Sequence, residues 1–274
     1  MSFGDLKRMS LADFISEFTE PSALWFFQHI PKTAGSSFSA ELRSIASPYR
    51  NIHASYGDDG SMKAGSLEEA LSNFCSDPEL PSYRSASGHL KCELLEPLRT
   101  SIPRLRVTSI LRAPENRVIS DYRYQRTEMH PPHLRFREQF PTLESYIDHP
   151  MSQNTMAKFI AGRDCTAESL IRAVEEDMAF VGLLEMYPMS FGIIFQLMGH
   201  PNKFPSEHQR KTPNTADTSV DLTQDILRKI KDKNEKDVFM FDHVRSILTA
   251  HRDEWRSIVG ASQKPIHISD SMAS

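Results

Sequence analysis

Leu11, Phe14, Ile15 and Phe18 recur at helical spacing, which predicts a short amphipathic helix near the start of the chain. Residues 24–30 are then apolar on both faces, as in a parallel strand buried between two layers. A loop of small residues follows, and Phe38, Leu42 and Ile45 at i, i+4 and i+7 predict a helix starting near Ser36 or Ser37. The stretch SPYRNIHASYGDDGSMKAG reads as a loop, and SLEEALSNF opens with Ser66 and Glu69 at the spacing of a capping box. YRSASGHL reads as a second strand ending near His89. LRVTSIL is a third, β-branched and bounded by Pro103 and Pro114. Pro114 suits the first position of a helix that carries Val118 and Tyr122 on one face.

Beyond residue 127 the pattern turns mainly helical, over 143–148, 154–161, 167–176 and 186–198, with AFVGLL between them as a fourth strand. GHPNKFPSEHQRKTPNTADTS is a long polar loop, and such loops are uncommon unless functional or disordered. Two helices close the chain, the last carrying Phe241, Val244, Leu248 and Trp255. The expected fold class is α/β: a P-loop-like central parallel sheet flanked by helices, with a mainly helical second half. It is expected as one domain over 1–274, with a core at about 24–126 and a helical part at about 127–274.

Composition narrows the choice of chemistry. A chain of 274 residues, 39% hydrophobic, is long enough for one sizeable core. A net charge of -4 offers no global basic field for nucleic acid. Cys75, Cys92 and Cys165 are an odd count without C-x-x-C spacing, which argues against a disulfide framework or a zinc knuckle. No run approaches the ~20 apolar residues that span a bilayer, and the first residues lack a signal-peptide core, so a cytoplasmic protein is expected.

Two βα units carry candidate chemistry. In the first, WFFQHIPKTAGSSF, Lys32 precedes Gly35, whereas the G-x-x-x-x-G-K-[ST] loop places its lysine after the glycines. Backbone N–H groups at a helix start form an anion site, and Gly35 lets an oxyanion approach them. Thr33, Ser36 and Ser37 add hydroxyls, and Lys32 adds a charge. In the second unit Arg112 ends a buried strand and Ser120 sits on the next helix, a pairing suited to a phosphate. The bland readings are a solvated lysine on an ordinary turn and a strand-end arginine paired to a carboxylate. Two such units in one sheet suggest a ligand with two separated anionic groups at the carboxyl ends of the strands.

HIPKTAGSSF resembles the phosphosulfate-binding loop of the carbohydrate O-sulfotransferases, especially the uronyl and heparan sulfate type. SILRAPENRVISDYRY is similar to that family's second signature, and SGHL, NTMAKFIAG, FVGLLE and RKTPN resemble further segments in the same order. The resemblance spans about residues 24–216. It implies 3′-phosphoadenosine 5′-phosphosulfate as donor, adenosine 3′,5′-bisphosphate as product, and an acceptor hydroxyl, with no metal. Lys32, Thr33, Ala34, Gly35, Ser36 and Ser37 would hold the phosphosulfate, and Arg112 and Ser120 the 3′-phosphate. Arg210, Lys211 and Thr212 would close over the nucleotide. The 24–126 part would then bind the donor and the 127–274 part the acceptor.

The resemblance places the catalytic base at His89, with His53 as the alternative, while His29, on the strand before the loop, reads as structural or positioning rather than basic. Lys32 would also neutralise the departing nucleotide. The family's animal members are membrane-anchored, whereas this chain looks like a soluble, bacterial-type relative. Arg123, Arg126, Arg135 and Arg137 would meet an anionic glycan, or form a solvated face with Asp121, Glu128 and Glu138. Rival readings are a phosphate-transferring kinase and a non-catalytic nucleotide-binding protein of the same fold.

Overall fold

A computed structural model describes residues 2–57, 62–206 and 218–262, the side chains of 261 and 262 excepted. A 3-10 turn, Phe3–Lys7, and α1 (Leu11–Phe18) lead into β1 (Leu24–Gln28) and α2 (Gly35–Ile45). Then come β2 (Tyr49–Ile52), α3 (Ser66–Cys75), β3 (Ser85–Gly88), α4 (Cys92–Ser101), β4 (Leu105–Leu111) and α5 (Pro114–Gln125). The helical part holds α6 (His133–Gln139), α7 (Leu143–Ile147), α8 (Thr155–Ile160) and α9 (Ala167–Arg172), which runs into a π-helical turn, Ala173–Asp177. β5 (Phe180–Leu183) and α10 (Tyr187–Leu197) return to the sheet, and α11 (Gln224–Lys233), α12 (Glu235–Ala250) and α13 (Arg252–Ser262) finish the described chain.

The five strands are all parallel, in the order β2-β3-β1-β4-β5. β1 is central because LWFFQ is buried along its whole length and both neighbours pair with it, Phe27 opposite Ser87 on one side and Thr108 on the other. Burying Trp25, Phe26 and Phe27 contributes about 1.5–3 kcal/mol for each ring. From β1 the chain crosses to the edge strand β2, returns through β3 and then passes over β1 to β4, so the connections run to opposite sides of β1 and the sheet's topological switch lies there. Ligands of open parallel sheets sit at the carboxyl ends beside such a point. Among the described residues, no helix is long and apolar enough to cross a membrane.

Several elements differ from expectation. The stretch read as a loop contains β2, an edge strand whose central Arg50 and Asn51 are exposed, so it lacks an apolar signature. The sequence reading also places no element over α4, which carries Pro97 inside it. The capping box at Ser66 and Glu69 does not form. Gly65, with φ 71°, caps α3, and the Ser66 hydroxyl donates to Lys63 O at 2.7 Å. Three helices close the described chain rather than two, since His251 separates α12, with Phe241, Val244 and Leu248, from α13 with Trp255.

A second apolar cluster lies apart from the sheet core. Val118, Ile119 and Tyr122 of α5 pack there with Phe136, Phe140, Tyr146 and Ile230 from α6, its C-terminal flank, α7 and α11. α5 therefore presents one face to the helical part and leaves Arg117, Asp121 and Tyr124 along another, at i, i+4 and i+7.

Candidate functional site

The carboxyl ends of β1, β3 and β4 bring three predicted segments together. Alternation along parallel strands fixes which residues share a face: Phe27 and Ser87 are partners, and His29 and His89 follow two residues on, toward α2. The rings of His29 and His89 lie 4.1 Å apart between centroids, tilted by 32°. His89 Nδ1 lies 2.6 Å from His29 O; a carbonyl only accepts, so Nδ1 carries the proton and Nε2 is left as a lone-pair acceptor. His89 is exposed as a residue, yet atoms crowded around the ring dehydrate it and hold its pKa below the usual 6.5, against the opposing effect of the His29 hydrogen bond. His29 sits deeper. Burial lowers its pKa to about 3, helped by the nearby charges of His89 and Lys32, so it is neutral at pH 7.

The loop before α2 is built around positive φ angles, 70° at Lys32 and 74° at Ala34. Left-handed residues in a tight loop aim successive N–H groups into one concavity, a shape that receives anions. Ala34 is the N-cap of α2 and supplies no capping side chain. Gly35 is required by contact rather than by φ, because a Cβ there would overlap the His29 ring. Thr33 is fully buried and its hydroxyl donates to Ile30 O at 2.9 Å, so toward the cleft it offers its backbone. Ser36 is exposed and Ser37 buried.

Arg112 follows β4 and donates from Nη1 to Lys32 O at 3.2 Å, which joins the two βα turns. Partial burial lowers the Arg112 pKa, opposed by Glu185, and arginine stays charged regardless. Glu185, after β5, accepts from Ala113 N–H at 2.9 Å and so holds the start of α5. Ser120, on α5, is half-buried, and its hydroxyl engages no hydrogen-bond partner among the described residues. His53 lies beyond β2, with Nδ1 3.5 Å from Asn51 Nδ2. Arg210, Lys211 and Thr212 lie outside the described residues.

Sequence reasoning missed Tyr124, whose ring centroid lies 3.9 Å from Lys32 Nζ. It also read Asp121 as part of a solvated face. Asp121 instead accepts from the Tyr146 hydroxyl at 2.8 Å and from the fully buried Arg117 at 3.3 Å. Its carboxylate favours the charged form of Lys32, whose pKa is nonetheless lowered, chiefly by burial. The only usable signal was helical spacing from Arg117 to Tyr124. Of the arginine cluster, Arg126 donates to Phe140 O and Arg137 to Arg126 O, while Arg135 is exposed.

Among the described residues no group of three or more His, Cys, Asp or Glu could hold a metal ion. A shallow groove of ≈ 620 Å³ between the N-terminal turn, with Lys7 and Arg8, and α12, with His243 and Ile247, shares no residue with the strand-end cleft.

No protein-family model matches the chain, and no curated protein matches it in sequence. Among solved structures the chain is similar to a mouse sulfotransferase, SULT7A1, complexed with PAP, with a TM-score of 0.46 and 14% identity over 92% of this chain and 96% of that one. Likeness this distant leaves the chemistry to be read from the chain's own residues.

Proposed function

We propose that the chain is a sulfotransferase that moves the sulfuryl group of 3′-phosphoadenosine 5′-phosphosulfate to an acceptor hydroxyl of a carbohydrate or glycoconjugate. The observation that carries this reading is the junction at the sheet switch. The uncapped start of α2 and the Arg112 turn abut through the Arg112–Lys32 hydrogen bond, with His89 beside them on the neighbouring strand. Two anion-reading turns suit a nucleotide with separated 5′ and 3′ charges, and an imidazole with a free Nε2 suits a hydroxyl that must lose its proton.

In this scheme the backbone N–H groups of residues 33–37 hold the phosphosulfate, and Arg112 and Ser120 hold the 3′-phosphate. The acceptor oxygen bonds to sulfur as its proton passes to His89 Nε2. The bond from sulfur to the bridging oxygen breaks, and that oxygen leaves on the bisphosphate with the electron pair, where Lys32 neutralises its charge. Such transfer is governed by in-line placement and charge stabilisation. His29 O fixes the His89 tautomer, and the neutral His29 ring supports its face.

Thermal shift with two ligands tests the class. Adenosine 3′,5′-bisphosphate should raise Tm, whereas stabilisation by ATP with magnesium alone would indicate a kinase. Transfer of labelled sulfate to a panel of glycans then separates an enzyme from a binding protein of the same fold.

A further inference from the structure

Lys32 is not a free side chain waiting in solvent. It leaves a backbone with φ 70°, and its ammonium lies over the Tyr124 ring at 3.9 Å from the centroid. The charged and titratable groups around it are Asp121 on α5, Arg112 after β4 and His29 after β1. Asp121 is the anion among these, and it is already engaged by Arg117 and by the Tyr146 hydroxyl. The direct contact to the ammonium is therefore an aromatic face, which attracts a cation through its quadrupole and carries no net charge. A carboxylate in that place would repel an incoming phosphosulfate; a tyrosine ring does not.

Resting on the sulfotransferase reading, we propose that Tyr124 is the positioning residue for Lys32, holding its ammonium at the cleft until the donor's bridging oxygen takes it over. Helical spacing places Tyr124 one turn beyond Ser120 and Asp121, so one helix reads the 3′-phosphate and also docks the lysine that serves the 5′ end. The hydroxyl of Tyr124 donates to Met129 O at 3.3 Å, and its ring lies 5.9 Å from that of His130, tilted by 52°, contacts that fix the ring beside the lysine.

The test compares Y124L, which removes the ring, with Y124F, which keeps it. Competitive acylation of Lys32 across pH, read by mass spectrometry, reports its protonation without any donor. Y124L should lower the Lys32 pKa by roughly 0.5–1.5 units, the shift that a contact of this type supplies, and Y124F should restore it. With labelled donor, Y124L should cut kcat about tenfold with donor KM within about threefold, and Y124F should recover turnover. In a K32A background Y124L should cost nothing more, because both changes remove one interaction. If Y124L leaves the Lys32 titration unmoved, or lowers residual K32A turnover by the same tenfold, Tyr124 only packs and the dock is overturned. A wild-type chain that neither binds adenosine 3′,5′-bisphosphate nor transfers sulfate would overturn the sulfotransferase reading and this role with it, whereas the titration arm tests the contact itself.

Discussion

The carboxyl ends of β1, β3 and β4 and the joint between α8 and α12 use similar polar residues in opposite ways. At the joint, Asn234 accepts from Asn154 N–H at 2.8 Å, and Asn154 accepts from Lys236 N–H at 3.0 Å. The two oxygens of Asp237 accept from Met156 and Ala157 at 3.2 and 2.7 Å. Each helix start is finished by a side chain of the other. At the strand ends, α2 starts on an uncapped Ala34, two non-glycine residues hold left-handed angles, and neither Lys32 nor Arg112 closes an ion pair among the described residues. Left-handed angles occur in both regions, at Asn154 as at Lys32 and Ala34, but at the strand ends donors stay unspent, as they do where a ligand supplies the missing partner. The joint is complete as protein, and on the proposed reading the strand ends are completed by an anion.

Changes at the strand ends should therefore alter chemistry at nearly constant stability, and His89 should show this most strongly. H89N should lose ~10²–10⁴ in turnover, the range of general acid–base catalysis, with bisphosphate affinity retained. The wild-type pH–rate profile should rise as His89 deprotonates. Because its pKa is lowered, that limb should lie below 6.5, and it should vanish in H89N. A crippling H53N beside a mild H89N would move the base to His53. K32A should follow, losing about 10²–10³ in kcat as one leaving-group donor disappears. Near-normal turnover by folded K32A would remove the lysine from the scheme.

The next effect links site to stability. His29 is neutral in the fold down to about pH 3 but protonates near 6.5 when unfolded, so the unfolded chain binds the extra proton between those values. Stability should fall as pH drops through that window, by up to about 1.4 kcal/mol per pH unit from this group. Urea titrations of wild type and H29F at pH 7 and 5 would show it as a steeper loss in wild type; equal losses would contradict it. The smallest effect on function belongs to the joint. D237A leaves the Met156 and Ala157 N–H groups buried without their carboxylate and should cost about 2 kcal/mol of stability. Nucleotide affinity should stay within about twofold, and a large affinity loss in folded D237A would erase the contrast between the two regions.

Much of the strand-end region was legible because its signals are local. β4 matches the β-branched run between two prolines residue for residue, α5 starts at Pro114 as its chemistry predicts, and the apolar run through Trp25 marks the central strand. β2 escaped because an edge strand with exposed Arg50 and Asn51 shows no apolar face. The Ser66–Glu69 spacing misled because Gly65 reaches a left-handed angle and takes the cap position itself. Tyr124 under Lys32, Arg112 against the Lys32 carbonyl and His89 on His29 join segments far apart in sequence. No local spacing encodes them; they follow from the strand order.

The central claim is that one cleft reads a 3′-phosphate as well as a 5′ anion. Isothermal titration of adenosine 3′,5′-bisphosphate and adenosine 5′-monophosphate, on wild type and R112A, tests it most directly. Two hydrogen bonds to a charged phosphate contribute roughly 3–6 kcal/mol, so wild type should prefer the bisphosphate by about 10²–10⁴. R112A should erase most of that preference while monophosphate binding stays nearly unchanged. Equal affinity of the wild-type chain for the two nucleotides would contradict the account.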